Sequence, residues 1–240
     1  MMDRAKIRLF VDAPLGQGQS VDLSRDQAHY LFGVMRLKPG ARVALFNGQA
    51  GEWTAEVVDA GKRGGRLVCL GQAAPQVDPP DLWLMFAPIK KARTDFIVEK
   101  AAEMGAARIV PVLTAFTNSE RVRVDRLQAH AVEAAEQCGG TFVAEVAEPV
   151  ALERLLADWP EDRQIMFCDE ALAGAAQPLA AKGGKWAILV GPEGGFSDRE
   201  RAAIHAMPGA HAVSLGPRIL RADTAAVAAL TLWQSTLGDW

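Results

Sequence analysis

The chain is predicted to be an α/β protein: a parallel sheet covered by helices, preceded by a smaller β-rich module. Three observations carry that expectation. From Leu82 onward, apolar runs alternate with longer helical patterns, the rhythm of parallel strands joined by crossover helices. Before Gly71 the runs are short and separated by tight-turn sequences. Two of the later runs stop at glycine, in "WAILVGPEGGFSDRE" (186–200) and "SLGPRILRADTAAVAAL" (214–230).

In chain order, residues 24–36 (SRDQAHYLFGVMR) read as a short helix capped by Ser24. "RVALF" (42–46), "EWTAEVVDA" (52–60) and "RLVCL" (66–70) read as strands joined by "NGQAG" and "GKRGG", which suit hairpins. This first part, residues 1–72, is expected to be a small β-barrel of a kind that often binds nucleic acid. "GQAAPQVDPPD" (71–81) has three prolines and no apolar periodicity, so 73–81 is taken as a linker and 82–240 as the second domain. There, strands are expected at 82–87, 108–113, 164–168, 186–190 and 211–215, with a weaker one at 142–146. Helices are expected at 93–104, 125–138, 151–157, 198–206 and 223–237. Ser197 and Glu200 form a capping-box pair at the start of the fourth.

Composition narrows the function. No apolar run reaches the roughly 20 residues of a membrane span, and MMDRAKIRLF lacks a signal peptide's apolar core. Three scattered cysteines, Cys69, Cys138 and Cys168, give neither a disulfide framework nor a zinc site. A cytoplasmic protein without metal or membrane attachment is expected. The net charge of −3 hides an asymmetry: residues 1–72 hold ten Lys/Arg against seven Asp/Glu, and the remainder sixteen against twenty-two. An anionic partner therefore fits the first part better. His130, His205 and His211 read as structural.

The two glycine loops carry the chemistry. In open α/β sheets ligands sit beyond the carboxyl ends of the strands, which is where Gly191 and Gly216 fall. Loops rich in glycine offer backbone N–H and C=O groups to a flat polar heterocycle such as adenine. The spacing is not that of a dinucleotide fold, there is no phosphate-loop lysine, and Glu193 would repel a phosphate. A ligand with little or no phosphate is expected.

These residues resemble a known family, the 16S ribosomal RNA (uracil-N3)-methyltransferases of the SPOUT class of S-adenosylmethionine enzymes. The resemblance spans almost the whole chain. It lies in "HYLFGVMRLKPG" (29–40), "KKARTDFIVEKAAEMGAARIVP" (90–111), "EAAEQCGG" (133–140), "LVGPEGGFSDRE" and "SLGPRILRADTA", the last two being the most specific. Asp223 stands where the family usually has Glu, and Gly140 lies near a position where Arg is common.

The resemblance implies a SPOUT α/β domain with a trefoil knot behind a PUA-like β-barrel, acting as a homodimer. It implies S-adenosylmethionine as cofactor and 16S rRNA, within the small ribosomal subunit, as substrate. The cofactor is expected on Leu189, Val190, Gly191, Glu193, Gly194, Gly195, Leu215, Gly216, Ile219, Leu220 and Thr224. Arg221 and Arg218 are expected to hold an RNA phosphate or the oxygens of a deprotonated uracil. Glu170, Asp223 and Glu193 are the candidate proton acceptors. RNA contacts are expected at His29, Arg36, Lys38, Lys90 and Arg93. Two other readings remain open here: the same fold acting on another RNA nucleotide, and a non-catalytic RNA-binding protein of ribosome assembly.

Overall fold

The computed structural model describes residues 5–118, 121–172 and 183–240. Contacts divide the chain into two units, one formed by 1–78 and 135–143, the other by 79–134 and 144–240.

The first unit is a mixed five-stranded sheet. Its strands are β1 (Arg8–Phe10), β2 (Ser20–Asp22), β3 (Arg42–Phe46), β4 (Glu52–Ala60) and β5 (Gly65–Ala74), in the order β1-β3-β4-β5-β2. β1 pairs parallel to β3 and the other neighbours are antiparallel. Three register shifts between β4 and β5 bend the ladder. Among the described residues no pairing joins β1 to β2, so the small barrel expected is an open half-barrel.

The expected first helix is present but not uniform. Ser24 and Gln27 form a capping box ahead of α1 (Arg25–Ala28), and the chain then widens into a π-helical turn over His29–Val34. It leaves that turn through Arg36, which takes a left-handed φ of 56°.

Arg8 anchors a second element in this unit. Its guanidinium donates to the carbonyls of Ala135 (2.5 Å), Glu136 (2.9 Å) and Gly140 (2.7 Å) at the end of α3 (Val124–Cys138), and its Nε to Glu52 (2.7 Å). Carbonyls at a helix C-terminus lack intrahelical donors and carry partial negative charge, so a cation there satisfies both needs.

The second unit is a parallel sheet. Its strands are β6 (Leu82–Phe86), β7 (Arg108–Leu113), β8 (Glu145–Val146), β9 (Val150–Ala151), β10 (Arg163–Cys168), β11 (Lys185–Val190) and β12 (Ala210–Val213). The order is β12-β10-β11-β6-β7-β8, with β9 also pairing on β7. Helices α2 (Lys91–Glu103), α4 (Leu152–Ala157), α5 (Asp198–His205) and α6 (Ala222–Leu237) complete it.

Both faces of the sheet are covered, which is why its strands read as unbroken apolar runs. Leu84, Phe86, Ile188 and Val190 enter one core with Ile97, Leu230 and Trp233. Their neighbours Met85, Ala187 and Leu189 enter the other, with Phe167, Phe196 and Ile204. The weak strand at 142–146 shrinks to Glu145–Val146, and the strand at 211–215 ends at Val213.

The register sets up the site. Cys168, the last residue of β10, aligns with Val190 on one side and Val213 on the other. Three loops therefore leave the sheet at one level. Because Trp233 is 1% exposed inside the first core, Trp233→Ala should lower the unfolding free energy by about 3–5 kcal/mol, measured by urea titration.

Candidate active site

A hollow with about 600 Å³ of open space lies beyond β10, β11 and β12. Two loops line it: Gly191, Pro192 and Gly195 come from one, Ser214, Leu215 and Gly216 from the other. Ile219 is 77% exposed at the pocket although its side chain is wholly apolar.

The glycines are required by geometry. Gly195 has φ +68° and its N–H donates to the Pro192 carbonyl (2.9 Å), and a Cβ there would collide with the Glu170 carboxylate. A Cβ on Gly191 would sit 2.6 Å from the Phe196 ring. Gly216, at φ +121°, is held by the Ser214 hydroxyl, which accepts from its N–H (3.3 Å) and donates to its carbonyl (3.2 Å).

The charges lining the hollow are mostly negative. Among the described residues, Asp169, Glu170 and Glu193 line it against a single cation, Arg218. The Asp169 side chain is 2% exposed and ion-paired with Arg201, with His205 Nε2 at 3.4 Å. Arg201 also reaches Glu170 through Nη2 (2.9 Å). Arg201 and His205 lie four residues apart, on one face of α5. His205, read as structural, thus supports a pocket carboxylate.

Most of the expected site residues converge here. Glu170, Val190, Gly191, Glu193, Gly195, Leu215, Gly216, Arg218, Ile219 and Leu220 all line the hollow. Five do not. Leu189 is fully buried in the opposite core, because successive strand residues face opposite sides. Gly194 packs beside Phe116 instead. Arg221 is the exposed N-cap residue of α6. Asp223 is ion-paired with Arg93 at 3.6 Å and accepts from the Thr224 N–H (2.9 Å). Thr224 itself is exposed.

Sequence reasoning did not name Cys168, Asp169, Pro192, Val213, Ser214, Ala222 and Ala225, all of which line the hollow. Ala222 and Ala225 were discoverable, since i and i+3 share a helix face. Of the expected RNA contacts, His29, Arg36 and Lys38 are exposed in the first unit, and Lys90 is exposed at the start of α2.

Two families match the chain: the RNA methyltransferase domain over residues 77–234, and the RNA methyltransferase PUA domain over 23–68. The ribosomal RNA small subunit methyltransferase E of Mycobacterium tuberculosis is 30% identical over 233 residues, covering 92% of this chain and 88% of the relative. The chain belongs to the ribosomal RNA small subunit methyltransferase E family. The Rickettsia conorii member is 27% identical, covering 93% of each chain. The Neisseria gonorrhoeae member, solved bound to S-adenosyl methionine, superposes with a TM-score of 0.89 at 27% identity, covering 98% of this chain and 99% of its own. A Legionella pneumophila chain solved with the cofactor SAM has a TM-score of 0.90 at 27% identity, covering 99% of this chain and all (100%) of the other. The SPOUT α/β fold with an N-terminal PUA-like domain is thereby established for this family member.

Burial pushes the Cys168 thiol up from 9.0 to about 12, so at neutral pH it is protonated and inert beside the hollow. Thiol titration of the native protein at pH 8 should find only the exposed Cys138 reactive, with Cys69 and Cys168 joining on denaturation. As the folded-state value is the higher one, the unfolded chain loses its proton first. Stability should therefore fall as pH rises from 9 toward 12, in a step that Cys168→Ala weakens.

Proposed function

We propose that the hollow holds S-adenosylmethionine and that the chain methylates N3 of a uridine in 16S rRNA. The observation that carries this reading is the lining itself: two glycine loops, apolar side chains and, among the described residues, three carboxylates, of which Asp169 and Glu170 are paired with Arg201 and Glu193 is not. With Arg201 tied to Asp169 and Glu170, the unpaired Glu193 makes the hollow a poorer place for a phosphate than for a cationic, phosphate-free ligand. The residues present fit such a cofactor. The backbone around Gly191, Leu215, Gly216 and Leu220 would hold its heterocycle, and Glu170 would face its positive charge, fixed from behind by Arg201. When bound, the cofactor supplies a methyl group already activated on sulfur, so no metal is needed.

The chain's own residues do the rest. Uracil N3 must lose its proton before it can accept a methyl group. Glu193 is exposed at the hollow, with no ion pair among the described residues, and is free to accept that proton. Glu170 is committed to Arg201 and is the poorer base. Arg218 stabilises the negative charge that develops on the uracil oxygens. Arg221 and Lys90, exposed near the same sheet edge, hold the RNA backbone. Because N3 is blocked by base pairing, the substrate uridine is unpaired or flipped out.

The first 78 residues bind rRNA, with His29, Arg36 and Lys38 on their surface. The glycine loops tie a trefoil knot, favoured by the order β12-β10-β11, in which the last strand passes beyond β10 instead of joining β11. The enzyme works in the cytoplasm as a homodimer on the small subunit.

Calorimetry with S-adenosylmethionine, and mass mapping of small-subunit rRNA with and without the gene, test the reading. Failure to bind cofactor at millimolar concentration would remove the enzyme assignment. Loss of a methyl group elsewhere than uridine N3 would change the target. Arg218→Ala should lower turnover about 10²–10³-fold while cofactor affinity changes little. Gly195→Val should abolish cofactor binding, read by calorimetry.

A further inference from the structure

A second cavity in the same unit, larger than the first at about 1250 Å³, lies at the start of α2 and is lined by neither glycine loop. Five cations line it: Lys90 and Lys91 at the head of α2, and Arg121, Arg123 and Arg126 around the start of α3. Among the described residues one carboxylate, Asp95, shares the lining, and it is ion-paired with Arg126. Arg123 is paired with Asp125 (2.5 Å). Lys90, Lys91 and Arg121 have no ion pair among the described residues.

This placement is costly as it stands. Like charges converge around one cleft, and two of them sit at a helix N-terminus, where the backbone dipole is already positive. The first turn of α2 has no acidic residue, and Lys90 offers no side-chain acceptor at the cap position. The turn is nevertheless held in place: the Thr94 hydroxyl accepts from Ile89 N–H (3.0 Å) and donates to the Ile89 carbonyl (3.1 Å). A bound anion would relieve the repulsion.

The cleft is also well situated. β6 leads into it and lies beside β11 in the sheet, and the Ala87 N–H donates to the Val190 carbonyl (3.0 Å) just before Gly191. The cavity and the glycine-lined hollow therefore open along one sheet edge, a strand apart.

We propose that this cleft is a second anion site, which takes backbone phosphates of the substrate RNA flanking the target nucleotide. The inference rests on the methyltransferase reading for the identity of the strand and adds where that strand runs. Lys91 and Arg121 grip the phosphates. Asp95 is a positioning residue that fixes the Arg126 guanidinium.

The test uses the full chain and a labelled uridine-containing single-stranded RNA. The pair Lys91→Glu with Arg121→Glu should weaken RNA binding at low salt by at least about tenfold. It should also flatten the dependence of log affinity on log salt by roughly 0.7 for each phosphate that the cleft no longer neutralises. Lys91→Glu puts an acid at the first helical residue, so its melting temperature should hold or rise. The neutral pair Lys91→Gln with Arg121→Gln should show the same salt effect, at reduced size. Cofactor affinity by calorimetry should match wild type, because neither residue lines the hollow. RNA affinity and salt slope equal to wild type in both pairs would overturn the assignment. Failure of the wild type to bind S-adenosylmethionine would instead sink the methyltransferase reading, while the RNA titration still judges the cleft.

Discussion

The site depends on the alignment of three parallel strand ends. Because Cys168 is in register with both Val190 and Val213, the residues that follow, Asp169, Gly191 and Ser214, all turn off the sheet at the same height. None of these three strands neighbours another by a short hairpin, so the alignment is enforced only by the hydrogen-bond ladder and the two apolar layers beneath it. A slip of one residue would exchange the faces of the strand and send Val190 into the opposite core. The glycine loops are thus the visible part of a constraint located in the sheet.

Around that constraint, charge is distributed with one consistent sign at each place. Carboxylates gather where a cationic cofactor is proposed, and Arg201 is bound to two of them rather than open to the hollow. Cations gather one strand away, where RNA is proposed. The overall charge of −3 conceals both. Even within the acidic second unit, this cleft is locally basic.

Local pattern made much of this legible in the sequence. β3, β4 and β7 begin and end where alternation and turn residues place them, and the capping boxes at Ser24 and Ser197 form as written. What escaped was non-local. β1 and β2 have three residues each, too few for a periodic signal, and exist because distant strands offer an edge. The ion pairs of Arg201 with Asp169 and Glu170 join residues more than thirty positions apart (31 for Glu170), which no spacing rule reports. Leu189 differs from Val190 in its side chain, which the two-residue period of a strand sends into the opposite core, so only its peptide group could face the hollow. Helical periodicity likewise sends Asp223 and Thr224 away from the wall that Ala222 and Ala225 form.

That wall has a further consequence. Where α6 meets the hollow it presents only methyl groups, Ala222 and Ala225, so the depth available to a ligand is set by the smallest side chains that still build a helix well. Trimming either to glycine would enlarge the cavity at modest cost to the helix, and a longer side chain at either position would narrow it. Room for a ligand is therefore bounded from behind as well as by the conspicuous loops at the front.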